Sequence, residues 1–161
     1  MIADSLLRLP AATRPGTFAA LMTLYESNYV RLGWLFDFDA PIPLSATSTK
    51  ADDIPLYLDV LEQTRYTTTI RLTYLFEEDG EQIPDPDLRV RIYHDARMVE
   101  AMACTRTHRH KALRDFDTGP GGELARRWDR NVMLNKWLEY CADKGHRFLY
   151  KISPLAIIPN S

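Results

Sequence analysis

The sequence predicts a two-layer α+β domain: a four-stranded antiparallel meander with an N-terminal and a C-terminal helix packed on one face. Three observations predict it. Segments near the start and the end of the chain repeat apolar residues at i, i+3 and i+4, the signature of amphipathic helices. Between them the hydrophobic period drops to two in three short runs, and a fourth short run is mostly apolar. The runs are joined by connections shorter than the dozen or more residues a parallel crossover needs, so neighbours pair antiparallel. Two apolar helix stripes then need a surface to cover, and one face of the sheet supplies it.

The first helix is read from Pro15, which suits a first helical turn. Phe18, Leu21, Met22, Tyr25, Tyr29, Leu32 and Phe36 follow as its apolar stripe over about five turns, with Glu26, Asn28 and Arg31 on the far side. Residues 1–14 read as a loose tail. Residues 37–55, DFDAPIPLSATSTKADDIP, hold three prolines and many small polar residues and read as a long irregular connection. Leu56, Leu58 and Val60 begin the alternating pattern. Thr68, Ile70, Leu72, Tyr74 and Phe76 continue it in a second strand after a turn or bulge near Gln63–Tyr66. Glu77–Asp87 reads as a polar loop. Leu88, Val90 and Ile92 mark a third strand and Met98–Thr105 a fourth. DFDTGPGGE, residues 115–123, is a Gly/Pro linker. Leu124, Trp128, Val132, Leu134, Leu138, Cys141 and Ala142 trace the last helix, with Gly145 where a C-terminal cap belongs.

At 161 residues the chain reads as a single domain, 1–161, able to bury roughly 70% of its unfolded surface without a staple. A net charge of -2 gives no global drive toward nucleic acid or anionic membrane. Charge is uneven locally. Glu77, Glu78, Asp79, Glu81, Asp85 and Asp87 are acidic; Arg106, His108, Arg109, His110, Lys111 and Arg114 are basic. Each run is expected to be a solvated loop or strand face. Cys104 and Cys141 form no CxxC pair and read as free, half-buried thiols in a reducing compartment. The first residues lack a basic segment followed by a continuous apolar one, so no signal peptide is read. No apolar run approaches the ~20 residues that span a bilayer. A cytoplasmic location is expected.

Three groups of residues could carry chemistry. The first is the hairpin Tyr93-His94-Asp95-Ala96-Arg97. Neighbours on a strand point to opposite faces, so His94 and Asp95 are no dyad while extended. With Asp95-Ala96 as a two-residue loop, Arg97 can face His94 across it. Tyr93, His94 and Arg97 then offer a ligand-binding edge, against the alternative of a polar hairpin held by local hydrogen bonds. His94 would be its group titrating near neutral pH. The second is Glu62, Arg65 and Tyr66, where Arg65 either clamps an anion or pairs with Glu62 to fix the turn. The third is a basic patch: Arg106, His108, Arg109, His110 and Lys111, extended by Arg126, Arg127 and Arg130 on the last helix, an anion-binding surface. His108-x-His110 would share one strand face as two metal ligands must, yet zinc needs a third protein ligand and the surrounding cations repel it. No metal site is expected. GxGxxG, GxxxxGK[ST] and GxSxG are absent, GPGG at 119–122 lacks the lysine of a phosphate loop, and no cofactor is expected.

Several of these pieces resemble a family of small uncharacterised bacterial proteins, the YqiB-like proteins. The matching residues are Glu62-x-Thr64-Arg65-Tyr66-Thr67-Thr68, the segment Val90-Arg91-Ile92-Tyr93-His94-Asp95-Ala96, and Asn135-x-x-Leu138-x-x-Cys141, with Leu24-x-Glu26-x-Asn28-Tyr29 before the connection. The similarity runs over roughly residues 18–150. It implies no mechanism. It does imply that Arg65, Tyr66, Tyr93, His94 and Asp95 act as one cluster; the HRHK stretch matches only as a generally basic region.

The reading that follows is a cytoplasmic, non-catalytic binding or adaptor protein. Its polar hairpin edge and basic patch would meet a partner protein or a small anionic ligand. The alternatives are a small enzyme on a phosphorylated or nucleotide substrate, with His94 as acid or base and Arg65 or Arg97 as anion clamps, and weak RNA binding through the arginine-rich patch.

Overall fold

The computed structural model describes residues 17–104 and 122–148. The tail at 1–14, Arg106 to Arg114 and most of the 115–123 linker lie outside the described residues. Two helices and five strands follow in the order α1 (Phe18–Leu32), β1 (Ser45–Ser48), β2 (Leu56–Gln63), β3 (Thr67–Glu78), β4 (Glu81–Tyr93), β5 (Met98–Cys104) and α2 (Glu123–Asp143). The sheet order is β1-β2-β3-β4-β5 and every neighbouring pair is antiparallel. The expected α+β meander is present with one strand more.

That strand, β1, lies inside the segment read as an irregular connection. It pairs Ser45–Ser48 with Leu56–Asp59. Its four residues, SATS, carry no apolar alternation, so period gave it no signal. The polar loop read at Glu77–Asp87 is corrected more sharply. Strands β3 and β4 run on through it to a two-residue turn, Asp79-Gly80, with φ of 52° and 81°. Positive φ at both positions is the type I′ geometry that Asp-Gly favours. Pro84 and Pro86 argued against a strand; they fall beside the register shift between Thr73 and Leu75, where the ladder is interrupted. Asp85 between them is buried, and Asp87 is paired rather than solvated.

One face of the sheet is the core. Leu56, Leu58, Ile70, Leu72, Tyr74, Leu88, Val90, Ile92, Val99 and Ala101 point to it and are buried. Met133, Leu134, Trp137 and Leu138 of α2 pack against them. The opposite face is polar. Arg71 grips Asp87 with two hydrogen bonds, of 2.6 and 2.8 Å, Thr73 donates to the same carboxylate, and Arg91 donates to Thr69. Thr69 is buried on this face beside Arg91, and Thr68 is buried on the core side against His94.

Thr17 caps α1, its hydroxyl accepting from the Ala20 N–H at 3.1 Å. The helix has 15 residues, about four turns rather than five. Phe18 is exposed, and Phe36 is buried in the turns that follow the helix. Asn28 and Arg31, expected on the solvent side, are buried instead. The reason is the second helix. Ser27 and Asn28 meet Asn135, Asn28 meets Asn131, and Arg31 meets Glu139. These pairs rise together along both helices, so α1 and α2 run parallel with a polar seam between them.

The seam also seals a sheet edge. The Asn131 side-chain oxygen accepts from the Ala101 N–H at 2.8 Å and from Asn28 Nδ2 at 3.2 Å. Asn28 Nδ2 also reaches the Val99 carbonyl at 3.3 Å, and Asn131 Nδ2 donates to the Arg127 carbonyl at 2.8 Å. Two asparagines thus occupy backbone groups on the free side of β5 that a further strand would otherwise take.

Asn131→Ala leaves the Ala101 N–H and the Asn28 amide without their buried acceptor. Each such loss costs about 1–3 kcal/mol. Urea denaturation is expected to show a loss of about 2–5 kcal/mol, against less than about 0.5 kcal/mol for exposed Glu26→Ala. A loss under about 1 kcal/mol for Asn131→Ala contradicts the sealing role.

Candidate functional site

The two hairpin tips singled out in the sequence lie side by side. Thr67 pairs with Tyr93, and the His94 N–H donates to the Tyr66 carbonyl at 3.0 Å. The β2–β3 turn is held by Thr64, whose N–H donates to the Thr67 carbonyl at 2.8 Å and whose hydroxyl accepts from the Thr67 N–H at 3.1 Å. The ion pair expected between Glu62 and Arg65 does not form. Arg65 stacks over the Tyr66 ring at 5.3 Å instead, and Glu62, Arg65 and Tyr66 are all exposed.

The second tip differs from the two-residue loop expected. Tyr93 pairs with Met98, leaving His94–Arg97 as a four-residue turn. Arg97 sits in the left-handed region at φ 53°. His94 lies beyond Ile92 on the core side of the sheet, its Nε2 at 2.7 Å from the Thr68 hydroxyl. Asp95 is exposed. Arg97 does not face His94 with its side chain. Its N–H meets the His94 carbonyl at 3.3 Å, and the residue is exposed at a cleft beside the exit of α1.

Tyr93 belongs to a cluster the sequence did not announce. It donates to one oxygen of Glu100 at 2.7 Å, and Tyr25 of α1 donates to the other at 2.8 Å. Burial pushes both phenols up, reinforced by the bonds to Glu100. They stay protonated and hold the carboxylate between them. With both oxygens engaged, Glu100 binds layers together rather than serving as a free base.

A further network joins residues 48, 53, 74, 141 and 146. The α2 helix ends in a Schellman turn: the Gly145 N–H bonds the Ala142 carbonyl, the His146 N–H bonds the Cys141 carbonyl, and Gly145 has φ 86°. A Cβ at Gly145 would also approach Lys50 at 3.3 Å. The turn delivers His146 into the protein, with Nδ1 at 2.9 Å from the Ser48 hydroxyl and Nε2 at 2.8 Å from Asp53. Tyr74 donates to the same Asp53 oxygen at 2.7 Å. Burial pushes the Asp53 carboxyl up, but hydrogen bonds from Tyr74, His146 and the Ile54 backbone outweigh it and hold it below its ordinary value.

Asp53 is therefore an acceptor, so His146 Nε2 carries a proton. The order Ser-His-Asp resembles a nucleophilic triad, yet its use is different. Ser48 is buried and already accepts the Arg147 N–H at 3.0 Å. The three residues clip the end of α2 to β1 and to the connection after it. Cys141, on the far side of Tyr74 at 3.4 Å, is fully buried rather than half-buried. Burial pushes its thiol up to about 12. Sequence reasoning missed His146 and Asp53 because their partners come from three distant segments, with no shared spacing to reveal them.

A cleft of about 350 Å³ opens where Arg97 meets the end of α1. Tyr29, Phe36 and Phe38 line it, with Asp37, Asp39 and Arg97 at the same opening. It contains neither Arg65, Tyr93 nor His94. On the last helix, Arg126, Arg127 and Arg130 converge on Glu123 at 3.5, 3.1 and 3.6 Å. One carboxylate offsets part of the patch expected there. Its other half, Arg106, His108, Arg109, His110 and Lys111, lies outside the described residues.

The family model described as Protein of unknown function (DUF1249) matches residues 32–147. This chain belongs to the DUF1249 family. It is 30% identical over 134 residues to the "Uncharacterized protein YqiB" of Escherichia coli strain K12, covering 80% of this chain and 90% of that protein. The protein of the same name from Escherichia coli O157:H7 shows the same identity and coverage. No solved structure matches. The DUF1249 match takes in both hairpin tips, the Tyr93–Glu100 pair and the His146 clip, and begins after Tyr25. No helix among the described residues is long and apolar enough to cross a membrane.

Two measurements check the clip. The bonds to Asp53 lower its folded pKa below the unfolded value of ~3.9. That contribution to stability is present above about pH 4 and lost as pH falls through the folded value. Asp53→Asn is expected to be less stable near neutrality and to show a flatter fall in urea midpoint between pH 4 and 2; an unchanged slope contradicts the assignment. Cys141 is expected to resist iodoacetamide at pH 7 in the folded protein and to be labelled in urea, as read by peptide mass mapping. Labelling of Cys141 in the native state contradicts its burial.

Proposed function

We propose that this DUF1249 protein is a cytoplasmic, non-catalytic adaptor that engages a partner protein through its paired hairpin tips. One observation supports the reading above the others. Arg65 lies stacked on Tyr66, and both stand exposed on a tip that backbone hydrogen bonds hold against its neighbour. Tyrosine and arginine are the residue types that dominate binding energy at protein interfaces. Holding them in place before contact reduces the ordering cost of association. Asp95 and Ala96 on the adjoining tip extend the same exposed surface, and the polar outer face of the sheet continues it through Arg71 and Arg91. His94, the residue an enzyme reading would use, has its Nε2 against Thr68 and stands outside the cleft.

Affinity capture with the full chain tests the proposal. The expected result is a stoichiometric protein partner that binds at least tenfold more weakly to Arg65→Ala/Tyr66→Ala, with the melting temperature of the variant unchanged. A thermal shift with a phosphorylated metabolite or nucleotide that disappears in His94→Ala, with no protein partner captured, overturns it in favour of an enzyme. Salt-sensitive RNA binding lost on neutralising Arg126, Arg127 and Arg130 overturns it in favour of RNA recognition.

A further inference from the structure

The cleft at the exit of α1 has a charge arrangement the rest of the fold does not require. Its wall is aromatic. Phe38 stacks flat on Tyr29, with centroids 4.2 Å apart and planes 5° apart, and Phe36 meets Phe38 edge-on at 5.1 Å. Gly33, the cap of α1, makes room for this wall, since a Cβ there would come within 3.2 Å of the Phe38 ring. The opening carries both signs of charge: carboxylates at Asp37 and Asp39 from the chain leaving α1, and a guanidinium at Arg97 from the β4–β5 turn. Asp37 uses one oxygen on the Asp39 N–H at 2.8 Å. Among the described residues, none of the three charged groups forms an ion pair with another.

Opposite charges that share an opening without meeting leave a place for a molecule that meets both. A cation on the ligand satisfies the aspartates, an anion satisfies Arg97 as a bidentate partner, and an apolar body covers the aromatic wall. The volume of about 350 Å³ lies at the small end of the range typical of ligand pockets. We infer that the cleft between α1 and the β4–β5 hairpin binds a small zwitterion, an α-amino acid with an apolar or aromatic side chain. Its ammonium faces Asp37 and Asp39, its carboxylate faces Arg97, and its side chain lies against Tyr29 and Phe38, the half-buried rings of the wall. The inference is independent of the adaptor reading, which uses other residues.

The test titrates the full chain with L-phenylalanine and with its two half-charged analogues. Phenethylamine keeps the ammonium and lacks the carboxylate; 3-phenylpropionate keeps the carboxylate and lacks the ammonium. Binding is read from backbone amide shifts of Gly33, Asp37 and Phe38. The expected result is saturable binding of L-phenylalanine, at least tenfold tighter than either analogue. Arg97→Asn, chosen because asparagine tolerates the left-handed backbone, is expected to bring L-phenylalanine down to the level of phenethylamine. Asp37→Asn/Asp39→Asn is expected to bring it down to that of 3-phenylpropionate. No saturation at millimolar concentration overturns the proposal, as does equal binding of the three probes by the wild-type protein. Unchanged discrimination in folded Arg97→Asn also overturns it. If a variant fails to fold, the three-probe comparison on the wild-type chain decides alone.

Discussion

The side-chain amide of Asn131 is the point on which the arrangement turns. It takes the Ala101 N–H from the sheet and the Asn28 amide from α1, and gives its own N–H to the Arg127 carbonyl of α2. Three elements thereby share one residue at one register. A slide of α2 by one turn, about 5.4 Å, would unpair the contacts to Ala101 and Asn28 in a place where water does not replace them. The last helix also acts at the other end of the sheet. Its Schellman turn carries His146 to Ser48 and Asp53, fixing β1 and the connection after it. One helix thus seals β5 with its middle and fastens β1 with its end.

This solution uses polar groups where apolar ones would also pack. A seam of Ser27, Asn28, Arg31, Asn131, Asn135 and Glu139 contributes less net stability than a leucine seam of the same area, because each polar group gives up water before it gains a partner. The Asn135 oxygen has no hydrogen-bond partner among the described residues. What the seam supplies is direction. Two apolar stripes could meet parallel or antiparallel and at several registers. Asparagines that must find Val99 and Ala101 accept one of these. The apolar core beneath then provides most of the free energy, through Leu56, Leu72, Leu88, Val90 and their neighbours.

Periodicity made much of this legible before any coordinates. The runs at Leu56–Val60, Thr68–Phe76 and Leu88–Ile92 alternate because one face of each strand is buried, and the fold class followed from them. What stayed hidden lacks periodic cause. Strand β1 is held by backbone pairing and by the His146 clip, so its SATS sequence needs no apolar rhythm. Asn28 and Arg31 looked solvent-facing because a polar residue on a helix usually is; their burial comes from a second helix more than a hundred residues away. The same limit governed the sites. Tyr93 was visible in the hairpin, but its partners Glu100 and Tyr25 were not, since nothing in their spacing links them. The Asp79-Gly80 turn was readable in principle and was outvoted by two prolines and a run of acids.

The β4–β5 turn explains why its residues face two ways. A tight two-residue loop would have sent Arg97 back up the ladder opposite His94. With four residues in the turn and Arg97 left-handed, Asp95 and Ala96 remain exposed while Arg97 borders the cleft at the end of α1. The same short segment then borders two surfaces: the exposed tips on one side, and the aromatic cleft on the other. They are joined by backbone, through the His94 N–H on the Tyr66 carbonyl and the Arg97 N–H on the His94 carbonyl. A contact that fixes Arg97 therefore restrains the turn that holds Tyr66 in place. One turn thus sets the backbone of both surfaces.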